Sequence, residues 1–152
     1  MPVRAVIFDL GGVLIEIDWE RFKEDQSSEI MSQDLRPYEQ LNARMLRLLK
    51  RLRPMYKLAT ICNSGSREAV NRKFQVGKLV DLMIFDGEEG ISKPDERIYR
   101  LTLERLNVRP EEAVFVDDKM ENVEAARRLG LRAVHFKNAR QAIAEIEAAL
   151  LL

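Results

Sequence analysis

The sequence predicts an α/β fold, a three-layer sandwich built on a five-stranded parallel sheet of strand order 3-2-1-4-5. Three observations support it. Five short apolar runs alternate with segments of helical periodicity, the pattern of strand–helix–strand crossovers. The first run, Ala5-Val6-Ile7-Phe8, is apolar at every position, as a strand buried on both faces must be. Two of the runs end on aspartate, at the carboxyl edge of the sheet where open α/β folds bind their ligands.

The first strand is expected over residues 3–8, followed by Asp9-Leu10-Gly11-Gly12, a carboxylate and then a glycine turn. Residues 15–36 fit the alternation least well. They carry Trp19, Phe22 and a polar run, and read as a short lid or helical excursion over the end of the first strand. A helix is expected over 37–53, with Leu41, Met45, Leu48, Leu49 and Leu52 on one stripe and Arg44, Arg47, Lys50, Arg51 and Arg53 opposite. The basic side reads as the solvated face of an amphipathic helix.

The second strand, 57–62, runs into Cys62-Asn63-Ser64-Gly65 and a helix over 66–76. The third, 82–85, is followed by an acidic turn with Asp86, Glu88 and Glu89, and then by Ser92-Lys93-Pro94-Asp95, which opens a helix over 95–106. The fourth, 113–117, ends in Asp117-Asp118 and leads to a helix over 121–129 with Gly130 at its close. The fifth, 132–136, holds the only histidine, His135, read as a packed residue, and a last helix spans 139–151.

The 25 basic residues balance 25 acidic ones, which leaves no electrostatic case for nucleic acid or an anionic membrane as partner. A single cysteine, Cys62, forbids an intramolecular disulfide and suits a reducing compartment. With no signal-peptide pattern and no run approaching ~20 apolar residues, the expectation is one cytoplasmic domain over residues 1–152.

In the 3-2-1-4-5 order the first, second and fourth strand ends adjoin. Asp9, Asp117 and Asp118 would then crowd and repel one another. A hard divalent cation relieves that conflict, and Mg²⁺ suits a carboxylate site of this kind. Lys93 adds a fixed positive charge for a phosphoryl group or for a nucleophilic carboxylate. Cys62 followed by Arg67 is one residue short of the phosphate loop of cysteine phosphatases, so Cys62 reads as a small buried residue.

With these four motifs in order, the chain resembles the haloacid dehalogenase-like (HAD) superfamily. It is most similar to the phosphatase subgroup with Phe-Asp-Leu-Gly at the first motif, Lys-Pro at the third and paired aspartates at the fourth. That subgroup includes glucose-1-phosphatase-like enzymes and the phosphatase domain of soluble epoxide hydrolases. The resemblance implies a Rossmann-like core and a Mg²⁺-dependent phosphatase that forms an aspartyl-phosphate on Asp9. Asp9, the backbone carbonyl of Gly11, Asp117 and Asp118 would hold the metal, with Asn122 in support. Lys93, Cys62, Asn63 and Ser64 would meet the phosphoryl group.

Two positions depart from the family pattern. Gly11 stands where the general acid/base aspartate is usual, which implies dependence on good leaving groups or a borrowed acid such as Glu16 or Asp18. Cys62 replaces a hydroxyl residue, and a thiol is a weaker donor. The family's helical cap is reduced to residues 15–36. The resemblance therefore implies an open site for a phosphorylated small molecule or macromolecule, with Trp19 and Phe22 as its cover or as a homodimer contact. The competing expectation is a member without turnover that binds a phosphorylated ligand or partner.

Overall fold

Strand β1 (Ala5–Phe8) forms the centre of the sheet, with all four residues fully buried. The computed structural model describes residues 2–26 and 34–151. Beside β1 lie β4 (Lys57–Cys62) and β6 (Ala113–Asp117), with β5 (Leu82–Phe85) and β7 (Arg132–His135) at the edges. The order β5-β4-β1-β6-β7 is parallel throughout, which is the expected 3-2-1-4-5 arrangement.

Alternation along the strands splits the core into two layers. Val6, Phe8, Val114 and Val116 point to one face, where they meet Met45, Leu48 and Leu49 of α2 (Ala43–Leu52) and Ala142 and Ile146 of α7 (Ala139–Leu150). Ala5, Ile7, Ala113 and Phe115 point to the other, against Ile98, Tyr99 and Leu103 of α5 (Glu96–Leu106) and Ala125 and Ala126 of α6 (Met120–Arg128). The stiff parallel ladder fixes where each strand ends, and so fixes the site.

The region 15–53 corrects the sequence reading. Instead of a helix from 37, a 3₁₀ turn at Arg36–Tyr38 leads into β3 (Glu39–Leu41), which pairs antiparallel with β2 (Ile15–Ile17). The helix α2 starts only after Asn42, whose side chain accepts from the Met45 N–H at 3.1 Å while its Nδ2 donates to Glu16 at 3.0 Å. Leu41 satisfies a helical stripe and an alternating strand equally well, and the tertiary pairing with β2 decides between them. The exposed basic side of α2 is solvated as expected, with Arg51 paired to Glu147 at 2.8 Å.

The lid segment contains α1 (Trp19–Gln26); residues 27–33 of the expected lid lie outside the described residues. Trp19, 52% exposed, meets Phe22 edge-on, and Phe22 meets Tyr38 in the same way. Helix α3 (Arg67–Phe74) stops two residues before its expected end, at left-handed Gln75. The acidic residues after β5 form a single helical turn, α4 (Asp86–Glu89), and are not free in solvent. Glu88 pairs with Arg67 at 3.0 Å and Glu89 with Arg105 at 2.6 Å.

Asn42→Ala should lower stability by about 1 kcal/mol, the usual worth of an N-cap, when urea unfolding is followed by circular dichroism. Unchanged stability would place the start of the helix elsewhere.

Candidate active site

The register of β1 with β6 sets Phe8 opposite Val116, and Asp9 continues the ladder by donating its N–H to the Val116 carbonyl at 2.9 Å. Asp9 and Asp117 thus emerge side by side from the carboxyl edge. Lys93, from the loop between α4 and α5, reaches in between them. Its Nζ lies 2.9 Å from Asp9 Oδ1 and 2.9 Å from Asp117 Oδ2. All three are buried, Asp117 completely.

This geometry leaves the site short of positive charge. Burial pushes the Asp9 carboxyl up to about 7; Lys93 opposes the shift and the Asp117 charge adds to it. On Lys93 burial works against the ammonium, but Asp9 and Asp117 together outweigh it and hold its pKa above the ordinary lysine value. One ammonium therefore serves two buried carboxylates. Asp118 brings a third: carboxylate oxygens of Asp9, Asp117 and Asp118 lie within 4.8 Å of one another.

The donor set fits a hard divalent cation. It consists of carboxylate oxygens with excess negative charge. The side-chain Oδ1 of Asn122 is buried with no hydrogen-bond partner, although its Nδ2 donates to Asp117 Oδ2 at 3.1 Å. An orphaned acceptor beside an acidic cluster suits a water molecule carried by a metal ion. Asp117 is the most heavily engaged of the acids, since it accepts from Lys93, Asn122 and the Lys119 N–H.

Gly12, at φ 84°, lets the chain pass close under Asp118; a Cβ there would lie 2.3 Å from Asp118 Oδ2. At Gly11 a Cβ would meet nothing within 4 Å. The two glycines therefore differ in kind: one is required by space and φ, and the other simply lacks a side chain.

The second-motif residues are tied to the loops beside them. Asn63 donates from Nδ2 to the Lys93 carbonyl at 2.9 Å and accepts the Lys93 N–H on Oδ1 at 3.1 Å. This two-point clamp fixes the Lys93 backbone and so aims the ammonium. Ser64 adopts a left-handed conformation, and its N–H donates to Asp86 Oδ1 at 2.9 Å. Cys62 is buried beneath Gly65, and burial with the nearby Asp9 charge pushes its thiol up to about 11. It stays protonated at neutral pH and is no nucleophile.

Both expected substitutes for an acid at Gly11 are engaged. Glu16 accepts from the amides of Gln40 and Asn42. Asp18 accepts the Arg21 N–H in the first turn of α1. Sequence reasoning did not identify Gly12 and the Asn63 clamp as parts of the site, nor His135, whose Nε2 sits 2.9 Å from the Asp118 carbonyl. It also missed Tyr99, whose buried hydroxyl donates to the Asn122 carbonyl at 2.9 Å.

A family model described as haloacid dehalogenase-like hydrolase matches residues 19–130. The chain belongs to this family. Among curated relatives, the phosphorylated carbohydrates phosphatase of Thermotoga maritima is 38% identical over 102 residues, 63% of this chain and 47% of that protein. The chain thus matches about half the length of that relative. The sesquiterpene phosphatase of Aspergillus oryzae is 26% identical over 84% of this chain and 76% of its own length.

Solved structures agree in fold. A HAD family enzyme of Bacteroides thetaiotaomicron, in complex with magnesium and inorganic phosphate, superposes with a TM-score of 0.70 at 21% identity over 89% of this chain and 94% of that one. A predicted HAD-like family hydrolase of Porphyromonas gingivalis gives 0.71 at 21% identity, covering 97% and 98%. Among the described residues no helix is long and apolar enough to cross a membrane.

Gly12→Ala should push Asp118 aside and weaken Mn²⁺ binding by about tenfold or more, measured by electron paramagnetic resonance. Gly11→Ala should leave binding within about twofold, because its Cβ enters open space. Equal effects from both would mean that Asp118 does not depend on Gly12.

Proposed function

We propose that this protein is a phosphatase that hydrolyses phosphomonoesters of small molecules, with Asp9 as nucleophile and Mg²⁺ as cofactor. The observation that carries the reading is the buried Asp9 carboxylate, oriented by the Leu10 N–H at 2.8 Å and the Lys93 ammonium at 2.9 Å. A carboxylate so fixed is restricted to one direction of approach. Relatives named as phosphatases of phosphorylated carbohydrates and of sesquiterpenes support the reaction class. The protonated, buried Cys62 suits a reducing cytoplasm.

In the first step an Asp9 oxygen attacks phosphorus, the ester P–O bond breaks and the leaving group departs with the bonding pair as an anion, which then takes a proton from water. In the second, water attacks the phosphorus of the aspartyl-phosphate, inorganic phosphate leaves and the Asp9 carboxylate is restored. Lys93 keeps its ammonium at Asp9 Oδ1 and balances charge on the transferring group. Asn63 holds Lys93 in place through its backbone, and Asp117 holds it from the far side.

Asp9, Asp118 and the Gly11 carbonyl would hold Mg²⁺, with Asp117 completing the acidic wall and Asn122 supporting it. When bound, the ion supplies positive charge to the phosphoryl oxygens. The Cys62 and Ser64 loop borders the same strand edge and would face the phosphoryl group.

A second reading, a phosphoryl-ligand binder without turnover, draws on one observation. No aspartate follows Asp9 by two residues, and both nearby substitutes, Glu16 and Asp18, are engaged. The phosphatase reading accommodates this as a preference for leaving groups that need no proton.

Hydrolysis of p-nitrophenyl phosphate, with its good leaving group, separates the two readings. Turnover should require Mg²⁺ and disappear in Asp9→Asn. Gly11→Asp, placed in open space, should raise kcat/KM for β-glycerophosphate by about tenfold or more and change p-nitrophenyl phosphate hydrolysis far less. Absence of turnover in a protein that binds Mn²⁺ would favour the binder.

A further inference from the structure

The ladder between β6 and β7 ends one residue short of Asp118. Asp117 faces His135 in register, and the Phe136 N–H donates to the Asp117 carbonyl at 2.8 Å. The next peptide, that of Asp118, has left the sheet. Its carbonyl is met by a side chain: His135 Nε2 at 2.9 Å. A carbonyl only accepts, so Nε2 carries the proton in this contact.

The imidazole therefore supplies, from a side chain, the hydrogen bond that the sheet no longer offers. It fixes the peptide plane from which the Asp118 carboxylate projects. The carboxylate itself is bounded by Gly12, which approaches so closely that even a methyl group would not fit. The ring is in turn anchored through its backbone, since Gln141 of α7 donates from Nε2 to the His135 carbonyl at 2.9 Å. Residues 117–122 are pinned further along as well, by Tyr99 on the Asn122 carbonyl and by Asp117 on the Lys119 N–H. The His135 contact acts on the Asp118 main chain itself.

We infer that His135 is a positioning residue for the divalent-cation site, setting the Asp118 carboxylate through its main-chain carbonyl. The inference rests on the proposal that Asp118 is a metal ligand. It extends that proposal to a histidine on a different strand, which touches neither substrate nor metal. Groups that orient metal ligands commonly carry a tenfold share of affinity. The loss here should fall on the metal and not on the chemistry.

The test uses Mn²⁺ alone, bound to the full chain at fixed pH and followed by electron paramagnetic resonance. His135→Leu fills the space without a donor and should weaken Mn²⁺ binding by about tenfold. His135→Gln, whose amide N–H has the same reach, should stay within about threefold of the native protein. With p-nitrophenyl phosphate, His135→Leu should raise the Mg²⁺ concentration for half-activation while kcat at saturating Mg²⁺ stays within about twofold.

Native-like Mn²⁺ binding by His135→Leu, or equal loss in both variants, would overturn the inference while leaving the metal site itself standing. If His135→Leu fails to fold, His135→Gln decides: near-native binding supports the inference and a tenfold loss overturns it. If the native protein binds no Mn²⁺, or Asp118→Asn binds it unchanged, the metal-site proposal falls, and this inference falls with it.

Discussion

The Lys93 ammonium, held 2.9 Å from each of two buried carboxylates, is the interaction on which the site depends. Asp9 and Asp117 stand together because β1 and β6 are adjacent parallel strands of matching register. Two carboxylates buried so close cannot both ionise without a compensating charge. Lys93 provides part of that charge, and its burial would itself be unfavourable without them. Removing Lys93 leaves two buried carboxylates facing each other with no ammonium between them, and for that reason the loop carrying it must be fixed as firmly as the strands. The Asn63 clamp on both sides of the Lys93 peptide does this, so the end of β4 serves the site through the lysine's backbone.

Charge is then still out of balance. Asp118 adds a third carboxylate, and Asn122 leaves an acceptor buried and unpaired. Both features suit the hard cation of the proposed function, and neither is explained by fold stability. An apolar core around the same sheet would be at least as stable without them. The arrangement is therefore best understood as stability given up for chemistry, supported by two layers of core on either side of β1.

The parts of this arrangement that follow from local pattern were legible in the sequence. Ala5–Phe8 announced a strand buried on both faces, and the Asp9, Lys93 and Asp117-Asp118 motifs stood at strand ends or in the loop that the alternation required. What could not be read were pairings between distant segments. Leu41 lies in phase with both a helix and a strand, and only contact with Ile15–Ile17 selects β3. The Asn63 clamp could not be read because nothing local shows that its side chain bonds to the backbone of Lys93 thirty residues away. His135 looked like packing, since its contact with Asp118 depends on the lateral order of β6 and β7. Gly12 gave no sign of its difference from Gly11 until Asp118 lay against it.

The account stands on Asp9 as the group that receives the phosphoryl moiety. The most direct measurement is to quench the protein during turnover of p-nitrophenyl phosphate with Mg²⁺, reduce with borohydride, and map the products by mass spectrometry. An acyl phosphate on Asp9 is reduced to homoserine, so the account predicts homoserine at position 9, dependent on substrate and absent without it. Turnover with Asp9 unmodified, or with the label on another carboxylate, would contradict it.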